Sequence, residues 1–350
     1  MNTRVDKLCE RLHDNEAALI SGYPNIFYYS GFTSGDAYLL ISHNSRFIIT
    51  DSRYTIQARE QAKGYVVIDI KEGFEKIFSR VSADYIGYES EHMCVSEHKK
   101  LKMKLANHQA LVEKQKVIDE PRRIKDSEEI RRIAEAERIG DEAFSHVLGM
   151  IRAGAVESDI ALELEYFMKK NGASALSFET IVASGARSAM PHGAASDKVI
   201  ENGDFVTLDF GCVFEGYCSD MTRTVVVGKA NSCQREIYDI VLKAQTAAID
   251  AVKEGVICSD IDKTARDIIS AAGYGNNFGH GLGHSVGIEI HESPSFAPKC
   301  NAKLENGNVI TVEPGIYVDG FGGVRIEDLI AVENGKVRNL THSPKELIEL

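Results

Sequence analysis

Hydrophobic positions change period several times along the chain, and the changes divide it into segments. Val5, Leu8 and Leu12 fall at helical spacing, so residues 4–13 predict a short amphipathic helix. Apolar runs at Ala17–Ile20, Ile26–Tyr29, Ala37–Ser42 and Arg46–Thr50 then predict strands. A helix follows from Asp51 to near Lys63, strands at Tyr65–Ile70 and Tyr85–Glu89, and a helix from Ser96 to near Asn107. This alternation predicts a compact α/β domain over residues 1–120. The aromatic group Tyr23, Phe27, Tyr28, Tyr29 and Phe32 reads as its core rather than as a cofactor box.

The pattern breaks at Ile118–Lys125, where Pro121 and a run of charges mark a linker. A second domain, residues 125–350, opens on Asp126 and Glu129, spaced as a capping box. The helix behind them buries Ile130, Ile133, Ala136, Gly140, Phe144 and Val147 on one stripe, and another helix runs from Glu157 to Asn171. Two β-rich runs then flank the turn Glu215-Gly216, which predicts a hairpin. Helices return at Cys233–Glu254 and Asp260–Ala272, followed by strand-like runs at Val309–Val318 and Val324–Val332. A helix pair leading into strands thus occurs twice, as in a pseudo-repeat with negligible identity between its halves. The expected class is α+β behind an α/β domain.

Length and composition fit this division. The chain has 350 residues, 43% hydrophobic and 26% charged, as in an ordinary globular protein of two domains. Its formal charge of -12 argues against a general nucleic-acid or anionic-membrane surface. The first residues carry no apolar signal core, and no apolar run approaches the roughly 20 residues that span a bilayer. The 7 cysteines are scattered without a Cys-x-x-Cys pair, as expected of reduced thiols in a cytoplasmic protein. Cys212 and Cys218 lie near the chemistry, and Cys218 reads as a strand or turn residue rather than a ligand.

That chemistry concentrates in acidic and imidazole side chains within apolar segments. Asp209 and Asp220 stand on the two arms of the hairpin, where antiparallel pairing brings them to one face. The hairpin alone leaves open that one is solvated and the other caps the turn. Glu313 and Glu327 lie in the later strand-like runs, and His284 in Gly-His-Gly-Leu-Gly-His. Four carboxylates in a core-like setting call for compensating charge, and no lysine or arginine cluster supplies it. Two divalent cations would. Oxygen ligands with one imidazole suit Mn²⁺, Co²⁺, Fe²⁺ or Zn²⁺. Such ions about 3.5–4 Å apart share a water and lower its pKa, which suits hydrolysis of an amide-like bond.

The set Leu-Asp-Phe-Gly, Ser-Asp-Met-Thr-Arg-Thr, Gly-His-Gly-Leu-Gly-His, Val-Glu-Pro-Gly-Ile-Tyr and Val-Arg-Ile-Glu-Asp resembles the dinuclear pita-bread metallopeptidases. Within them the chain looks most like the aminopeptidase P and prolidase branch, which cleaves Xaa-Pro bonds. The resemblance implies a creatinase-like N-terminal domain and a pita-bread catalytic domain with a curved antiparallel sheet. It implies Asp209 on one ion, Asp220 and Glu327 bridging both, and His284 and Glu313 completing the second. Glu313 would also take a proton from the bridging water. His192 and His291 match histidines that assist at the substrate, His280 one lining the proline-side pocket, and Arg325 an arginine that supports the metal-site carboxylates and the substrate end. Tyr317 matches the tyrosine after Pro-Gly, grouped with the substrate-binding residues as a support behind them. Manganese heads the implied ions, and a homodimer is the implied assembly. The implied reaction is that of an Xaa-Pro aminopeptidase, with an Xaa-Pro dipeptidase as the alternative and a non-catalytic binding homologue behind both.

Overall fold

The structure, a computed structural model, describes residues 3–350, and their contacts divide into two compact units, Met1–Arg122 and Arg123–Leu350. The first unit is a six-stranded sheet. It contains α1 (Thr3–Cys9), β1 (Glu16–Ile20), α2 (Tyr23–Ser30), β2 (Ala37–Ser42), β3 (Ser45–Thr50), α3 (Thr55–Gln61) and β4 (Val66–Asp69). There follow α4 (Phe74–Phe78), β5 (Tyr85–Tyr88), α5 (Val95–Lys102), β6 (Ala110–Glu113) and α6 (Gln115–Arg123). The strand order is β4-β3-β2-β1-β5-β6, antiparallel through β3-β2-β1 and parallel at both flanks.

Two expectations fail here for identifiable reasons. Ile26–Tyr29 is not a strand but the body of α2. Pro24 pre-sets the first turn, and Gly31, at φ 73°, closes the helix in the left-handed conformation. The buried Glu89 carboxylate caps the start from far along the chain, accepting the Gly22 N–H and the Asn25 amide, each at 2.7 Å. Local apolarity carries no trace of that cap. The stretch read as a linker is helical as far as Arg123, because Gln115, Ile118, Pro121 and Arg122 turn inward at helical spacing.

The second unit opens with α7 (Ser127–Val147) and α8 (Glu157–Lys170). The capping box at Asp126 and Glu129 is present, with both reciprocal hydrogen bonds formed. Strands β7 (Ala175–Leu176), β8 (Ile181–Ser184), β9 (Phe205–Phe210), β10 (Cys212–Phe214), β11 (Tyr217–Cys218) and β12 (Met221–Val226) follow. Then come α9 (Ser232–Ala251), α10 (Cys258–Ala271), β13 (Gly283–Ser285), β14 (Glu292–Phe296) and β15 (Val309–Val312). The unit ends with β16 (Gly315–Val318), β17 (Gly322–Arg325), β18 (Asp328–Glu333) and β19 (Lys336–Asn339). The helix-pair-then-strands order does recur. Ile139, Phe144, Leu164 and Met168 pack against β8, β9 and β12 in one core, while Ile237, Val241, Ile261 and Ile269 pack with Ile310, Val324 and Ile330 in another.

The hairpin turns where expected, with Glu215 and Gly216 both at positive φ (46° and 84°). The later strand-like runs are each cut in two. Glu313-Pro314 separates β15 from β16, and Ile326-Glu327 separates β17 from β18, each pair of segments entering different sheets. Pro314 has no N–H for a ladder, so pairing stops there. The pairs Val312–Asp328 and Gly315–Arg325 hold one register across the gap, which sets Glu313 opposite Glu327. These two acids sit at breaks between sheets, not inside strands. Among the described residues, no helix is long and apolar enough to cross a membrane.

Candidate metal centre

Antiparallel pairing builds one wall of the site. Asp209 lies directly opposite Thr222, and the hairpin register places Asp220, two residues before Thr222, on the same face. Thr222 then ties this hairpin to the other half of the unit: its hydroxyl donates to Glu327 Oε2 at 2.7 Å, and its carbonyl accepts the Glu327 N–H at 3.1 Å. The opposite wall comes from β13 and the end of β15. His284 sits where the β13–β14 register shifts by a bulge, a device that re-aims a side chain. Thr311 steadies this wall, accepting the His284 N–H at 3.0 Å and donating to Glu313 Oε1 at 3.2 Å. Gly283 is needed beside it, because a Cβ there would lie 2.0 Å from the Thr311 carbonyl oxygen.

These walls bring Asp209, Asp220, His284, Glu313 and Glu327 together around one cavity of about 550 Å³. His284 Nε2 stands 3.4 Å from both Asp220 Oδ2 and Glu313 Oε1. Ligand atoms of Asp220, His284 and Glu327 all lie within 4.8 Å of one another. Burial drives the Asp220 and Glu327 carboxyls well above, and Glu313 above, the usual carboxylate range, and mutual repulsion with Asp209 adds to it. Asp209 Oδ1 and Glu327 Oε1 are buried with no hydrogen-bond partner. Orphaned oxygens aimed among carboxylates are what hard divalent cations bind, so this donor set fits a metal centre.

The remaining predicted residues divide. His192, His280, His291 and Arg325 line the same cavity. The His291 ring centroid is 4.3 Å from that of His284, and burial, then the neighbouring histidines, lower its pKa. Burial drops His280 to about 4, so it is a neutral imidazole at ordinary pH. Tyr317 does not line the cavity. Its hydroxyl stands behind it, 3.0 Å from His280 Nε2 and 2.8 Å from Arg325 Nη1, and burial raises its pKa to about 12. Arg325 also donates to Thr222 Oγ1 at 3.1 Å and to Asp209 Oδ2. Burial works against the Arg325 charge, but Tyr317, Asp209 and Glu313 outweigh it and hold the guanidinium protonated. Cys218 does not line the cavity; its thiol stands 3.4 Å from the Ile288 carbonyl and is raised to about 12 by burial.

Several contributors went unread in the sequence. Thr222 and Thr311 each lie two residues from a candidate ligand, and period-2 alternation would have put them on the ligands' face. The apolar wall of Phe178, Ile181 and Ile290 carries no motif of its own.

Residues 131–334 match Metallopeptidase family M24, and residues 4–124 match the Creatinase/Prolidase N-terminal domain. An Xaa-Pro dipeptidase of Pyrococcus horikoshii is 39% identical, with 99% of each chain covered. The structure of an Xaa-Pro dipeptidase from Bacillus anthracis superposes with a TM-score of 0.95 at 41% identity, covering 99% of each chain. An X-Pro aminopeptidase structure from Thermotoga maritima gives 0.91 at 38% identity, covering 98% of this chain and 99% of that one. The chain belongs to metallopeptidase family M24, its peptidase domain preceded by a creatinase/prolidase N-terminal domain.

Proposed function

We propose that this peptidase is an Xaa-Pro aminopeptidase, removing the first residue from peptides whose second residue is proline. The observation that carries the choice is the state of Arg325. Of the described residues lining the cavity it is the only lysine or arginine, and each of its three nitrogens already donates within the protein, to Thr222, Tyr317 and Asp209. A dipeptide presents its C-terminal carboxylate inside the site, and an unpaired buried charge is costly. A longer peptide places an amide there instead. The second reading, an Xaa-Pro dipeptidase, is favoured by the Pyrococcus horikoshii and Bacillus anthracis relatives, both of them Xaa-Pro dipeptidases.

Asp209, Asp220, His284, Glu313 and Glu327 would hold two divalent ions, manganese foremost, which supply Lewis acidity and a nucleophilic hydroxide at neutral pH. Glu313 takes the proton of the attacking water and passes it to the proline nitrogen, which as a leaving group must be protonated. His291, neutral, donates a hydrogen bond to the scissile carbonyl oxygen as negative charge develops there. His192 assists at the substrate or the tetrahedral intermediate, and His280 flanks the proline ring. Phe178, Ile181 and Ile290 keep water from the reacting bond. The same reading takes the protein as a cytoplasmic homodimer. Comparing kcat/KM for an Xaa-Pro dipeptide and an Xaa-Pro-Yaa tripeptide tests it. The tripeptide is expected to be the better substrate, and hydrolysis of the dipeptide alone would overturn the choice.

A further inference from the structure

The turn that carries His280 has little means of holding itself in place. Gly279, Gly281 and Gly283 alternate with His280 and Leu282, and the close approach of neighbouring backbone crowds Gly281 and forbids a larger residue at Gly283. A Cβ on Gly281 would lie 3.0 Å from the Phe296 carbonyl oxygen, and one on Gly283 would lie 2.0 Å from that of Thr311. Glycine leaves the backbone free, so the position of this turn must be set from outside.

Two side chains one turn apart on α10 do this. Asp262, nearly fully buried, pairs with Arg266 through two parallel contacts of 2.8 Å. Arg266 then donates to the carbonyls of Phe278 at 3.0 Å and His280 at 2.8 Å, and its guanidinium lies 4.3 Å from the Phe278 ring centroid. Asp262 Oδ1 also accepts the Leu282 N–H at 3.1 Å. The pair thus grips the backbone before, at and after His280, whose own ring meets Tyr317 at 3.0 Å.

We propose that Asp262 and Arg266 are positioning residues for the proline side of the site, acting by fixing the His280 imidazole against Tyr317. The proposal rests on the reading of His280 as a substrate-facing residue. Neither residue touches the cavity, so both act through His280. The planar fork of Arg266 serves two carbonyls and a carboxylate at once, which a lysine cannot reproduce.

The test uses R266K, D262N and H280A in the full chain, with metal content, kcat and KM on an Xaa-Pro-Yaa peptide, and the His280 ring signal by NMR. R266K and D262N are each expected to lower kcat/KM about 10–100-fold while metal per chain stays as in the wild type. In the H280A background, R266K is expected to cost less than about twofold more, because coupled residues do not add. Equal losses in both backgrounds, or loss of metal with activity, would overturn the proposal. If the wild type cleaves no Xaa-Pro peptide, the functional reading fails, and the NMR arm still decides this one. A shifted His280 signal in R266K supports the brace, and an unchanged one refutes it.

Discussion

Thr222 gives its hydroxyl hydrogen to Glu327 Oε2 at 2.7 Å, while the other oxygen of that carboxylate is buried with no partner. One oxygen is fixed so that the other is aimed. Thr222→Val keeps the branched shape and removes the donor. It is expected to weaken Mn²⁺ binding about 10–100-fold with little change in fold, as loss of a ligand's supporting hydrogen bond does. Calorimetric titration with Mn²⁺ measures this, and an unchanged affinity would show that Thr222 does not orient the ligand.

Metal-free protein should carry a pH signature of the crowded acids. Burial and mutual repulsion raise the folded-state pKa of Asp220, Glu313 and Glu327 above the ordinary values of 3.8 and 4.5 that the unfolded chain keeps. Between those values and the raised ones the native state binds more protons, so stability falls as pH rises through that window. Asp220→Asn removes one such group. In EDTA, the variant should melt higher than wild type at about pH 8 and converge with it below about pH 4. A wild type that melts higher throughout would contradict the electrostatic account.

His291 stands beside His284, with ring centroids 4.3 Å apart and its side chain open to the cavity. If it stabilises the developing oxyanion, His291→Ala should lower kcat about 10²–10³-fold. Metal content, read by elemental analysis, should not change. Loss of metal in step with activity would make His291 part of the binding set instead.

The loop bearing His192 is fastened by one saturated carboxylate. Glu157, fully buried, accepts from Ser184 N and Oγ at 2.7 and 2.8 Å, from Ser196 Oγ at 2.7 Å, and from Arg187, which also donates to the Ala194 carbonyl at 2.8 Å. Glu157→Ala strands these donors and is expected to cost about 3 kcal/mol of stability. Urea unfolding of the metal-loaded protein checks it, and a loss within about 0.5 kcal/mol would mean that the loop is held elsewhere.

What the sequence disclosed follows the range of the forces involved. The stripe Ile133, Ala136, Phe144, Val147 and the Asp126–Glu129 box are local, and both form as the spacing predicts. The turn at Glu215-Gly216 is local too. Ile26–Tyr29 reads locally as a strand because Glu89, over sixty residues away, supplies the helix cap. The runs around Glu313 and Glu327 looked continuous because apolar content does not mark where a strand changes sheet.

The site was legible to the extent that its chemistry is unusual. Acids in apolar strands are improbable without compensation, and the five candidate ligands do converge on one cavity. Thr222, Thr311, Asp262 and Arg266 carry no distinctive signal in the sequence because hydroxyls in strands and charge pairs on helices are commonplace. Their work depends on partners that only folding brings near. Tyr317 follows Pro-Gly in the sequence, and its hydroxyl meets His280 and Arg325 rather than the cavity.

The central claim is that these five residues hold two divalent ions which hydrolysis requires. Equilibrium dialysis against Mn²⁺, with metal per chain and Xaa-Pro-Yaa hydrolysis followed on the same samples, tests it in wild type, Asp220→Ala and Glu327→Ala. Wild type should hold two ions per chain and cleave the peptide, while both variants lose metal and turnover together. An active, metal-replete Glu327→Ala protein would contradict the account.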